Sequence, residues 1–182
     1  MPGLRSLESR MIRAAKLEVD LYEEVEADTT ATGQAFIAVL VASISSAFGT
    51  AILSITTEDA PAFWVGLLIG LAASIAGWLV MSVMAYAIGT TLFKGPHTSA
   101  TVGELLRTIG FANSPRVLGI LVFIPFLGWI VSLAVSVWTL IAVVIAVRQA
   151  LDFSTWRALG TCIVGWIIYQ VFLGIVIGVI LI

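Results

Sequence analysis

The chain has 182 residues, of which 60% are hydrophobic and only 11% charged, with a mean hydropathy of +1.10 and a net charge of −2. Soluble domains average roughly 45–50% apolar and about 25% charged residues. A soluble globular monomer, a disordered chain and a disulfide scaffold are therefore excluded, and an all-α integral membrane protein is expected.

The charges are strongly segregated. All nine Lys and Arg fall in 5–16, 94–116 and 148–157. The acids cluster in 1–28, with Glu104, Asp152 and the adjacent pair Glu58–Asp59 elsewhere. No basic surface of the kind that binds nucleic acid is present.

Residues 6–27 predict one amphipathic helix, with Leu7, Met11, Ala14, Ala15, Leu21, Tyr22 and Val25 at roughly helical spacing. Its first half is basic and its second half acidic. It can lie on an anionic membrane surface or dock on the rest of the protein, and the pattern does not choose. Residues 1–28 hold no apolar core of the length a signal peptide needs. The expectation is a cytoplasmic segment over 1–33.

The first span is predicted at about 34–55 and the second at about 62–93, longer than a perpendicular crossing requires. Lys94, Gly95 and Pro96 end it. The interior loop 95–116 carries His97, Glu104, Arg107 and Arg116, with a short surface helix expected over 103–109. Residues 117–147 form one uncharged run, too long for a single crossing. Pro125 and Gly128 mark a break in it. A short third span at about 115–124 and a fourth at about 127–147 follow. The last span is about 158–182.

Five spans with the N-terminus inside place every Lys and Arg on one side, as the positive-inside rule favours. Four spans would move Arg148 and Arg157 outside. A re-entrant hairpin near 115–128 is the structural competitor. The expected architecture is thus a five-helix transmembrane bundle behind an amphipathic N-terminal helix, with the third span short or broken and the C-terminus outside.

Candidates for chemistry are few. No Asp, Glu, Lys, Arg or His lies inside the long apolar runs, which argues against an ion-coupled transporter. His97 is the sole histidine, and a metal cluster needs several ligands. Ser43, Ser45, Ser46 and Ser82 have no base in the same span to activate them. Cys162 reads as a buried thiol, Gln170 as a helix–helix hydrogen bonder and Glu58–Asp59 as a polar turn. No enzyme activity, cofactor or metal is expected.

Gly66, Gly70 and Gly77 form one small-residue face, and Gly174 and Gly178 another. Such faces let helices approach closely, within the bundle first, or against a second copy or another membrane protein. Trp64, Trp129 and Trp156 fall near predicted interfaces, as an aromatic belt would place them.

The run Arg107-Thr108-Ile109-Gly110-Phe111-Ala112-Asn113-Ser114-Pro115-Arg116 resembles a hallmark of the Yip family, the Ypt-interacting polytopic membrane proteins. The family pattern there is Gly-Tyr, three residues, then Pro, and Phe111 stands for Tyr. Asp20-Leu21-Tyr22 resembles the start of the family's Asp-Leu-Tyr-Gly-Pro motif, with Glu23 and Glu24 in place of Gly-Pro. The stretches 124–128, Trp138 and 147–158 are similar to the bacterial and archaeal branch. The likeness covers about residues 17–178. It implies five spans, an interior N-terminus, an exterior C-terminus and residence in a prokaryotic cytoplasmic membrane. Eukaryotic members bind Rab-type GTPases. The broken motif and the absence of their long N-terminal region argue against such a partner here.

Three functions remain open. One is a membrane-organising or interaction scaffold that uses 20–28 and 104–116. In it Gly110 gives backbone freedom, Pro115 fixes the start of the third span, and Arg107 and Arg116 meet lipid phosphates or acidic partners. The second is an accessory subunit of a larger membrane complex, docked by its glycine faces. The third is a passive transporter, channel or lipid scramblase, with the broken segment 115–128 lining the path.

Overall fold

The structure, a computed structural model, describes residues 6–54, 63–95, 98–124 and 126–180, with side chains described outside 53, 54, 63, 65, 66 and 172–180. Among the described residues the order is α1 (Leu7–Ala15), α2 (Val19–Ala27), α3 (Ala31–Ser54), α4 (Phe63–Thr91), α5 (Val102–Ala112), a 3₁₀ helix (Ser114–Phe123), α6 (Gly128–Ala150) and α7 (Thr155–Ile180). Every described regular element is helical, the form in which a chain satisfies its own backbone in lipid. Hydroxyls inside these helices follow suit. Ser43 donates to the carbonyl of Val39 and Ser82 to that of Trp78.

Three stretches among the described residues are long and apolar enough to cross a bilayer: Ala31–Ile52, Leu67–Thr91 and Gly128–Ala150. They overlap the first, second and fourth predicted spans, the first starting three residues earlier and the fourth ending three residues later than expected. The predicted fifth span corresponds to α7, whose last side chains lie outside the description.

The N-terminal expectation needs correction, because the segment is two helices and not one. Leu17 takes a left-handed backbone at φ 62°, and the chain reverses there. The reversal explains the charge segregation. In one straight helix Arg10 and Glu24 would stand ~21 Å apart. In the hairpin Arg10 pairs with Glu24 at 2.9 Å and with Asp28 at 2.7 Å, and Arg13 pairs with Glu24 at 2.6 Å. Of the two placements the sequence allowed, the hairpin takes the docked one. The Trp138 indole donates to the carbonyl of Ala15 at 2.7 Å, and the Gln149 amide donates to Glu23 at 2.8 Å.

The expected surface helix in the interior loop is also corrected. Thr101 and Glu104 form a reciprocal capping box that starts α5. Its Leu105, Arg107, Thr108, Ile109, Gly110, Phe111 and Ala112 are buried. α5 is a central element packed against α2, α3, α4 and α6.

The third predicted span is a 3₁₀ helix that follows α5 after Asn113. The two run beside α3 in the same direction, with Gly110 against Ala35, Ser46 donating to the carbonyl of Arg116, and Gly119 against Ser46 and Gly49. From Ala35 to Gly49, α3 rises ~21 Å. The shorter stretch from Gly110 to Gly119 makes up part of the difference because its 3₁₀ residues rise ~2.0 Å each, ~17 Å in all. Ten such residues cover ~20 Å, about a third more than in α form.

The break after Phe123 is present. Phe126 has φ 64°, and α6 begins at Gly128, where a Cβ would collide with the carbonyl of Val122. Pro125 lies outside the described residues.

Candidate functional site

The residues singled out around 20–28 and 104–116 meet at the α2–α5 contact. Leu21, Tyr22 and Val25 of α2 share the buried core with Leu105, Ile109, Phe111 and Ala112 of α5. Amphipathic spacing on α2 turns its apolar face toward α5 and leaves Asp20 exposed. The Tyr22 hydroxyl donates to the carbonyl of Ala14 at 3.4 Å, and burial pushes its pKa up. The motif stretches at 20–22 and 107–116 are thus structural neighbours, while Asp20 stands apart on the surface.

Arg107 is only 6% exposed. Its Nε donates to the carbonyl of Val25 at 2.8 Å, and its Nη2 donates to that of Glu26. The last carbonyls of a helix have no intrahelical donor, and a cation there also opposes the negative end of the helix dipole. Arg107 therefore caps α2 from 81 residues away, and its guanidinium is not presented to a lipid phosphate or a partner.

Gly110 acts by size rather than backbone freedom. No described glycine has positive φ. A Cβ on Gly110 would stand 2.7 Å from the Cβ of Ala35, so it is the α3–α5 approach that requires glycine. Pro115 is buried in the first turn of the 3₁₀ helix, where a missing N–H costs nothing.

The charged pairs hold the hairpin. Arg10, 1% exposed, donates to Glu24, Asp28 and the Gln34 side-chain oxygen. Burial pushes the Glu24 carboxyl up, but hydrogen bonds from Arg13 and Arg10 outweigh it and leave the carboxyl below its usual range. Hydrogen bonds from the Thr30 side chain and then Arg10 draw Asp28 down to about 2. Glu26 behaves in the opposite way. Burial, then repulsion from Glu104 and Asp152, raises its carboxyl to about 7, despite the opposing pull of Arg107.

Arg116 has a different setting. It is half-buried, and its Nη1 donates to the side-chain oxygen of Asn113 at 3.2 Å. It lines two cavities. One, of about 330 Å³, is bordered by Ser74, Gly77, Trp78 and Asn113. The other, of about 660 Å³, lies among α4, α6 and α7. The expectation that the interior holds no ionisable group missed this side chain, which stands one residue before the uncharged run.

The glycine face of α4 is not used within the described bundle. A Cβ at Gly70 or Gly77 would meet nothing within 4 Å. The intramolecular packing expected there is replaced by closer contacts at Gly49, Gly110 and Gly119. The side-chain surroundings of Gly66, Gly174 and Gly178 lie outside the described residues, as does His97.

Sequence reasoning passed over the roles of Arg10, Gln34 and Trp78, and it met Trp138 only through the family resemblance. Trp78 donates to the carbonyl of Leu106 at 2.9 Å, tying α4 to α5. The basic-then-acidic order of 5–28 was the signal for Arg10. The tryptophans gave no sign of their contacts, because their acceptors are backbone carbonyls.

The α2–α5 junction joins two stretches more than 80 residues apart, both among those that carry the Yip resemblance. The model of the Yip1 domain matches residues 19–180. The chain belongs to the Yip1 family. No curated protein and no solved structure matches. The Yip1 match begins at the first residue of α2 and leaves α1 outside it, although Arg10 of α1 reaches Glu24, Asp28 and Gln34 inside it.

Proposed function

We propose that this Yip1-family protein is a non-enzymatic interaction scaffold of a prokaryotic cytoplasmic membrane. In this reading it crosses five times, with the α1–α2 hairpin inside and the C-terminus outside. Helix direction supports the path: α3 and the α5–3₁₀ pair run one way, and α4 packs antiparallel to α7, with Phe93 near Gly160 and Ile88 near Gly165. Charge supports it too, since every Lys and Arg then lies on the cytoplasmic half.

The observation that carries the scaffold reading is the clamped hairpin. Arg10 through Gln34, with Arg107, Trp138 and Gln149, fixes it to the bundle. A fixed surface loses little entropy on binding. This one presents Glu18, Asp20 and Glu23, which are exposed, to a basic partner. The test is to solubilise native membranes in mild detergent, size the particle and identify its components. The expected result is a discrete complex that Asp20→Lys dissolves, with membrane insertion unchanged. A small particle holding only lipid would refute the reading and turn attention to flux assays.

A second reading, the accessory subunit, draws on the open space at Gly70 and Gly77. Gly70→Leu meets no neighbour within the chain, so loss of complex from that variant would speak for docking through α4. Retention would speak against it.

A further inference from the structure

A cation among apolar helices is costly unless an anion or polar group meets it. Among the described residues Arg116 has one side-chain partner, the neutral amide oxygen of Asn113. The described ion pairs all belong to Arg10 and Arg13. The larger cavity beside Arg116 has apolar walls from Met81, Leu140, Ile163 and Trp166. Thr139 also lines it, and its Oγ1 is buried with no hydrogen-bond partner among the described residues. The cavity therefore combines a guanidinium, an unused hydroxyl donor and a long apolar wall.

Its depth is marked by Trp138, the neighbour of Thr139. That residue stands midway along α6, and its indole reaches the carbonyl of Ala15 at the end of α1, so the polar N-terminal cap dips into the bundle to the level of the cavity on its cytoplasmic side. We infer that the cleft among α4, α6 and α7 binds a phospholipid of the cytoplasmic leaflet. The phosphate sits on Arg116 and Thr139, and an acyl chain lies along Leu140, Ile163 and Trp166. Guanidinium suits phosphate because its parallel N–H groups meet two oxygens at once. Asn113 holds the guanidinium from behind and leaves donors free for the ligand. The site is independent of which protein the hairpin binds.

The test uses the full chain, purified in mild detergent and stripped of lipid. It is then offered dioleoyl phosphatidylglycerol, dioleoylglycerol or inorganic phosphate, and bound mass is read by native mass spectrometry. Wild type is expected to retain phosphatidylglycerol over dioleoylglycerol. Arg116→Gln is expected to weaken retention by about tenfold or more. Thr139→Val, which keeps the side chain's shape, should weaken it several-fold, and Arg116→Lys should keep part of it. Equal retention by wild type and both Arg116→Gln and Thr139→Val would overturn the site. So would equal retention of dioleoylglycerol, which would leave only an apolar groove. Displacement of the lipid by millimolar inorganic phosphate would overturn the lipid as ligand and make the site one for a free anion. Leu140→Trp, which fills the apolar limb, should lose the lipid while leaving any phosphate binding intact.

Discussion

Arg107 reaches the carbonyls of Val25 and Glu26 with a buried guanidinium, so removing it orphans the end of a helix as well as a charge. A hydrogen bond to a charged group contributes about 1.5–3 kcal/mol. Arg107→Gln should therefore lower stability by about 2 kcal/mol and speed amide exchange in α2 before α3 or α6. Unchanged exchange in α2 would show that the cap is not held this way. Glu26 predicts a pH effect at the same junction. Its folded carboxyl titrates near 7, above the unfolded value of about 4.5. The folded state thus binds the extra proton, and the stabilisation is complete below about 4.5. It falls as pH rises and is gone above about 7. Glu24 and Asp28 are held low, so their own losses occur on acidification below this window. Hairpin protection should decline from pH 5 to pH 8, and Glu26→Gln should flatten that decline. An unaltered slope in Glu26→Gln would assign the effect elsewhere. The pairing of Arg10 was open to a reader of the sequence, because opposite charges in consecutive halves of a short segment favour a hairpin. The partners of Arg107 were not, since backbone carbonyls leave no mark on composition.

At the scale of elements, the uncharged runs located α3, α4, α6 and α7 to within a few residues, because in a bilayer length and polarity alone limit a helix. The same reasoning failed for α5. Its charged residues suggested a surface, but Arg107 is consumed internally and the remaining face is apolar and buried. It also ranked the glycines wrongly. Spacing singled out Gly70 and Gly77, whereas the closest approach is between α3 and the 3₁₀ helix. A Cβ on Gly49 would collide with the carbonyl of Gly119, and one on Gly119 would stand 2.6 Å from the Ser46 hydroxyl. Pairwise spacing within one helix cannot reveal which helix will lie opposite. Gly49→Ala should then destabilise by about 1–3 kcal/mol, the usual cost of overpacking. Gly70→Ala should be neutral or stabilise by up to about 1 kcal/mol through helix propensity. Thermal unfolding in one detergent compares the two directly, and equal effects would contradict the packing described.

For the whole molecule, the decisive question is whether the 3₁₀ segment completes a crossing. Ten residues at ~2.0 Å each fall short of a ~30 Å hydrocarbon core. However, α5 continues the same path along α3, and its buried apolar face starts as early as Leu105. Together they are long enough, with the cationic side chain of Arg116 in the first turn of the 3₁₀ helix. The turn at 124–127 would then reach the outer surface, while the α1–α2 turn and Asp152 stay inside. Thiol labelling in a Cys162→Ser background separates the possibilities, since the native thiol is buried. Gly128 is a poor reporter because a side chain there meets Val122. Leu127 is better, being 51% exposed with an ordinary backbone. Five crossings predict that Leu127→Cys reacts with an impermeant reagent in intact cells, whereas Lys16→Cys and Asp152→Cys react only after permeabilisation. Reaction of Asp152→Cys from outside would mean four crossings. Protection of Leu127→Cys with Asp152→Cys exposed only to the cytoplasm would mean a hairpin that enters and returns. In that case the glycine contacts between α3 and the 3₁₀ helix would hold a re-entrant segment in place, and α6 would begin within the bilayer.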